Sequence, residues 1–266
     1  MRPEHSFQTA FKTCLKHGLN NTHGVKKMKI ANINNLSLVA LAMQRLVNRQ
    51  DGLPGLGVLY GPSGYGKTTA TIAVANQSRA YYVQMRSAWS KKTLLEKICF
   101  EMGLPPARTT AGCLDVICEQ LAASQRPLII DEADYLVVKA GMVELVRDIY
   151  EGSQAPVMLV GEELLPTKLK KYERFHGRVL AWIPAQPVSI EDAAELAAVY
   201  APKVSVSTDL LAHLVDIAHG SVRRVTVNLV NLAAFAAEKG LDELGLGDIA
   251  KAELYKGEAP KRGVRV

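Results

Sequence analysis

Apolar and polar positions along the chain change period several times, and each change marks an element. In NNLSLVALAMQRLVNRQ (34–50), Leu36, Val39, Met43 and Leu46 recur at helical steps, which predicts an amphipathic helix. Residues 51–55, DGLPG, break it. The continuous apolar run LGVLY (56–60) predicts a short buried strand, and the following helix runs through KTTATIAVANQ. AYYVQMR (80–86) predicts a second strand. SKKTLLEKICFEMG (90–103) predicts a helix, stopped by Gly103 and the Pro105-Pro106 pair. GCLDVICEQLAAS (112–124) reads as another helix, RPLIIDEAD (126–134) as a third strand, KAGMVELVRDIYEGS (139–153) as a helix and APVMLVGEE (155–163) as a fourth strand. Strands alternating with helices of these lengths imply an α/β fold with a parallel sheet covered by helices on both faces.

After Pro187 the pattern is helical only. Helices are expected at 189–200, 207–219 and 221–238, with a short one near 247–256 and no further strand. Ser189, followed three residues later by Asp192, reads as a capping box opening the first of these. The expected organisation is an arm at 1–33, an α/β domain at 34–187, a small all-helical domain at 188–256 and a tail at 257–266.

Composition and charge narrow the function classes. The chain has 266 residues with 48% hydrophobic and 22% charged, an ordinary globular balance that excludes wholesale disorder. The net charge is +6, and residues 1–50 carry eight Lys/Arg against the single acidic residue Glu4. A basic arm on a near-neutral body points to a polyanionic partner such as nucleic acid. Cys14, Cys99, Cys113 and Cys118 form no Cys-x-x-Cys pair and no zinc spacing; the last three read as core thiols. No signal peptide and no apolar run of ~18 residues is seen, so a cytoplasmic protein without a membrane segment is expected.

The chemistry is concentrated at Gly61-Pro62-Ser63-Gly64-Tyr65-Gly66-Lys67-Thr68, which has the full G-x-x-x-x-G-K-[ST] spacing between a strand and a helix. The glycines let backbone N–H groups turn inward around an anion, and the helix amino terminus adds its dipole. Lys67 would serve the β- and γ-phosphates, and the Thr68 hydroxyl would ligate Mg²⁺, with Thr69 behind it. In Leu128-Ile129-Ile130-Asp131-Glu132, a buried strand ends in carboxylates: Asp131 would hold Mg²⁺ and Glu132 would polarise an attacking water. An adjacent glutamate favours hydrolysis over transfer to a small molecule. Asp134 takes no firm role.

The ordered set GPSGYGKT, LIIDEAD, VMLVGEE and GSVRR in a helical lid resembles the AAA+ P-loop ATPases. Within them it is most similar to the transposition regulators, phage Mu transposition protein B and the TnsC/TniB-type proteins, over about residues 35–240. That resemblance implies ATP and Mg²⁺ as cofactors and a homo-oligomer, ring or filament, as the working form. It places the polar γ-phosphate sensor of the fourth strand at Glu162, where Asn or Thr would be usual; the carboxylate either turns away or slows turnover. It places an arginine supplied to the next subunit in KLKKYERFHGRV (168–179), Arg178 first and Arg174 second, and the lid arginine at Arg223. Two departures stand out: no helix-turn-helix is seen in residues 1–33, and no winged helix follows the lid.

Related assemblies grip duplex DNA along an inner surface, which the loop after the second strand would face. Arg86, Lys91 and Lys92 flank Trp89 there and would contact phosphates without reading sequence; Lys12, Lys16, Lys26, Lys27 and Lys29 of the arm are a second candidate. The expected function is an ATP-dependent, sequence-nonspecific DNA-binding ATPase, a bacteriophage-type regulator of DNA transposition that oligomerises on DNA and delivers it to a transposase. The alternatives are a helicase loader or another protein-remodelling ATPase.

Overall fold

A computed structural model describes residues 30–251 and 254–257. The basic lysines from Lys12 to Lys29, Cys14 and the tail beyond Gly257 lie outside the described residues. From Ala31 on, the chain packs as one compact unit.

The elements are α1 (Asn34–Val47), β1 (Leu56–Tyr60), α2 (Lys67–Ser78), β2 (Tyr81–Gln84), α3 (Lys91–Glu101), α4 (Thr110–Ser124), β3 (Leu128–Asp131), α5 (Asp134–Val137), α6 (Met142–Ser153), β4 (Val157–Gly161), α7 (Leu165–Leu169), α8 (Glu173–His176) and β5 (Val179–Pro184). Behind them come α9 (Ile190–Tyr200), β6 (Ser205–Val206), α10 (Thr208–Ala218), α11 (Val222–Lys239), β7 (Glu243–Leu244) and a 3₁₀ helix (Leu246–Lys251).

The five main strands form one parallel sheet in the order β2-β3-β4-β1-β5. Side chains alternate across it, as the pleat requires. Leu128 and Ile130 of β3 and Val157 and Leu159 of β4 point into one core with α3, α4 and α6. Ile129, Met158 and Val160 point the other way, into a core shared by α1, α2 and the helices α9 to α11. Burial on both faces explains the unbroken apolar strands. It also explains why the carboxy-terminal helices, here called the lid, pack as part of the same unit.

Beyond the short helices α5, α7 and α8, which the sequence pattern does not predict, the structure departs from the expectation in three places. β5 is a fifth strand, paired to β1 from Leu56↔Val179 to Tyr60↔Pro184. The lid region holds a two-residue parallel ladder, Ser205↔Glu243 and Val206↔Leu244, where only helices are expected. The last helix is a 3₁₀ turn at 246–251 rather than one reaching 256. The Ser189–Asp192 capping box is present at the start of α9.

Candidate nucleotide site

β1 delivers the chain to Gly61, and α2 begins at Lys67, so residues 61–66 form the turn between a buried strand and a helix amino terminus. β3 and β4 end alongside: Ala133 N–H donates to Val160 C=O at 2.8 Å. The site therefore lies beyond the carboxyl ends of parallel strands, where open α/β sheets leave a crevice.

Asp131 sits at its centre, 2% exposed. Its Oδ2 accepts the Thr68 hydroxyl at 2.8 Å and the Tyr82 hydroxyl at 2.8 Å. Its Oδ1 accepts the Glu132 backbone N–H at 2.8 Å. Lys67 Nζ donates to the carbonyls of Gly61 (2.7 Å) and Pro62 (2.8 Å). Burial lowers the Lys67 pKa, while Asp131, Glu132, Glu162 and Asp134 oppose that shift. Glu132 has φ +55, a left-handed conformation that costs a non-glycine residue about 1–2 kcal/mol. Strain of that kind concentrates at functional sites. Burial raises the Glu132 pKa, and Asp131, Glu162 and Asp134 add to the rise. Such a carboxyl is a stronger base at neutral pH than an ordinary glutamate.

Thr68 and Asp131 fit a hard divalent cation: two oxygen donors already in contact at the phosphate turn. Among the described residues, no three His, Cys, Asp or Glu gather to hold a metal by themselves. Mg²⁺ is ordinarily held by one or two protein oxygens plus phosphate oxygens, and this donor set would suit that.

The lid closes directly on the turn. Arg223 N–H donates to Gly64 C=O at 3.1 Å. Gly64 has φ +87, and a Cβ there would lie 2.6 Å from Ser221 Oγ, so no side chain fits. Ser221 caps α11 by accepting Arg224 N–H. The Arg223 side chain is exposed, in a first turn that holds no acidic residue.

Two residues that sequence reasoning missed hold this corner together. Asn35, 3% exposed, donates to Tyr65 C=O (2.9 Å) and Gln186 C=O (2.8 Å) and accepts Gln186 N–H (2.8 Å). It ties the phosphate turn to the segment entering the lid. Asp134 accepts Glu162 N–H (2.6 Å) and Lys168 Nζ (2.7 Å), fixing the exit of β4. The Glu162 side chain is exposed, yet its charge acts on both Lys67 and Glu132. Of the remaining turn residues, Ser63 and Thr69 are exposed.

The two arginines before β5 stand apart from this corner. Arg178 C=O accepts Leu56 N–H at the far end of β1, a five-residue strand spanning ~17 Å. Its side chain pairs with Glu151 at 3.2 Å. Arg174 lines a cleft of about 330 Å³ with Glu144, Arg147 and Lys171. Arg178 therefore cannot serve the turn of its own chain.

Arg86, Lys91 and Lys92 are all exposed around the loop after β2. Lys92 Nζ donates to Arg108 C=O at 3.1 Å and approaches Glu96 at 3.8 Å. Trp89 is half-buried against the core, and Lys139 donates to its carbonyl at 2.5 Å. No helix among the described residues is long and apolar enough to cross a membrane.

Residues 50–169 match the family model described as AAA domain. The replication factor C large subunit of Methanothrix thermoacetophila is 24% identical over 200 residues, 74% of this chain and 38% of that protein. The chain thus spans well under half of that relative. Among solved structures, the ADP form of the Aeropyrum pernix ORC2 protein is similar with a TM-score of 0.60 and 16% identity, covering 87% of this chain and 70% of that one. The Aeropyrum pernix ORC1 protein in complex with DNA is similar with a TM-score of 0.57 and 17% identity, covering 82% of this chain and 63% of that one. At such identities the likeness is one of fold. Residues 50–169 thus match an AAA domain, and the chain has the P-loop AAA+ fold.

Proposed function

We propose that the chain is a Mg²⁺-dependent ATPase that oligomerises on duplex DNA without sequence preference while ATP is bound, and that delivers this DNA to a transposase. The observation that carries the reading is the closed corner of Lys67, Thr68, Asp131 and Glu132, with the lid helix bonded to Gly64. A triphosphate offers Lys67 anionic oxygens in place of the Gly61 and Pro62 carbonyls. The backbone N–H groups of the turn and the start of α2 favour the same charge.

Thr68 and Asp131 would hold Mg²⁺, which neutralises charge on the β- and γ-phosphate oxygens. Glu132 would take the proton of the attacking water. Arg223 would reach the γ-phosphate from the lid. Arg178, or Arg174 in second place, would complete the site of an adjacent copy, an effect worth on the order of a thousandfold in rate. Glu162 beside Lys67 works against a bound triphosphate, in keeping with slow, partner-stimulated turnover. Arg86, Lys91 and Lys92 would contact DNA phosphates. The motif order that resembles the transposition regulators supports the choice of transposase as the recipient.

A second reading, a helicase-loader-like ATPase, is favoured by one specific observation: the sequence likeness to a replication factor C large subunit along 74% of the chain. A loader would act on a protein ring and need not coat DNA.

Binding to random-sequence duplex DNA with ATP, ADP or no nucleotide, imaged in parallel by electron microscopy, separates the two. ATP-dependent, salt-sensitive binding with filaments or rings is expected. Equal weak binding in all three states, with no assembly, would contradict the proposal and favour the loader.

A further inference from the structure

We propose that Tyr82 is a positioning residue that limits divalent-metal affinity, because its hydroxyl occupies the second lone pair of Asp131 Oδ2, the oxygen that Thr68 bonds and that a hydrated Mg²⁺ on Thr68 would adjoin. The inference rests on the reading of Thr68 and Asp131 as the holders of Mg²⁺.

A carboxylate oxygen presents two lone pairs. On Asp131 Oδ2 both are taken, one by the Thr68 hydroxyl and one by the Tyr82 hydroxyl, each at 2.8 Å. Oδ1 is held by the Glu132 N–H at 2.8 Å, and the Asp131 carbonyl accepts Met85 N–H at 2.9 Å. The carboxylate is thus tethered on three sides in a nearly fully buried position. Thr68 can keep its bond and still offer its own oxygen to a metal, since a hydroxyl donates and accepts at once. Tyr82 lies outside the phosphate turn and is not among the residues read as holding the metal, so its bond is the one to be given up.

The neighbouring tyrosine supplies the control. Tyr81 lies on the opposite face of β2, in the other core, and its hydroxyl accepts Gln120 Nε2 at 3.2 Å. It offers the same chemistry on the same strand, away from Asp131. The position of Tyr82 also matters for reach, because β2 runs straight into the exposed Arg86 loop.

The test is a Mg²⁺ titration of fluorescent mant-ADP binding by the full chain, for wild type, Tyr82→Phe and Tyr81→Phe. Affinity in EDTA is measured alongside. In Tyr82→Phe the Mg²⁺ midpoint is expected to fall roughly fivefold, the equivalent of one ordinary hydrogen bond, with the EDTA affinity unchanged. Tyr81→Phe should leave both unchanged. A midpoint that stays put or rises in Tyr82→Phe would overturn the inference while leaving the metal site standing. Wild-type binding indifferent to Mg²⁺ would overturn the metal assignment and the inference together. If Tyr82→Phe does not fold, the ring-carbon NMR signal of Tyr82 in wild type decides. A shift on adding Mg²⁺ and ADP supports release of the hydroxyl, and a signal that does not move overturns it.

Discussion

On one face of the sheet, Leu59, Ile129 and Met158 pack with Ala70 and Val74 of α2 and with Val225 and Leu229 of the lid helix α11. On the other, Leu128, Ile130 and Leu159 pack with Ile98, Cys113, Ile117 and Val146, and no lid residue joins them among the described residues. The first face makes the helix of the phosphate turn and the lid parts of one core. A shift in the first turn of α2 must then be felt in α11, both through shared side chains and through the Arg223–Gly64 bond. The second face is a closed framework that carries the exposed loop around Trp89. Equal apolar burial is therefore expected to do two jobs, one core transmitting and the other holding still.

The largest expected effect separates chemistry from transmission. Glu132→Gln should lower ATP turnover by roughly a hundred- to ten-thousandfold, the range for loss of a general base, while leaving ATP affinity within a few-fold. Steady-state hydrolysis and equilibrium binding measure the two.

Paired core truncations test the difference between faces. Leu229→Ala and Ile117→Ala each remove a fully buried side chain and should each cost about 2–5 kcal/mol in urea unfolding. Only Leu229→Ala should also weaken ATP binding in the folded protein. Equal loss of affinity in both would erase the distinction.

Asn35→Ala should cost about 1–3 kcal/mol, because Tyr65 C=O and the Gln186 backbone lose a partner in a buried position. The same change should loosen the lid, read as faster proteolysis after Gln186.

The smallest effect concerns pH. Glu132 is raised by burial first and by Asp131, then Glu162. In the proposed role its carboxylate form is the base, so the acid limb of kcat/KM should lie above that of an ordinary glutamate. Glu162→Gln removes one repelling charge, lowers the Glu132 pKa and should move that limb to lower pH. A limb that moves upward would contradict the electrostatic account.

How far the sequence reaches follows the distance over which a signal acts. The turn at 61–68 and the Asp131-Glu132 pair are local, fixed by spacing between a strand and a helix, and the structure brings Thr68 and Asp131 into contact. The Ser189–Asp192 cap is equally local. Tyr82, Asn35 and Asp134 are not legible this way, because their partners lie 49, 151 and 28 residues away. Asn35 in particular reads as an ordinary polar helix start until Gln186 is seen beside it. β5 is obscured because its burial is mixed along VLAWIP, with no clean period to set it apart from the basic segment before it. The β6–β7 ladder is two residues long, too short for any pattern.

The most direct measurement is amide hydrogen exchange of the Glu132→Gln protein with and without ATP and Mg²⁺. The account predicts added protection at the phosphate turn, at residues 221–229 of the lid and at residues 33–36, with residues 113–121 of the opposite face unchanged. Protection confined to the phosphate turn, or spread equally over both faces, would contradict a lid that is driven through one shared core.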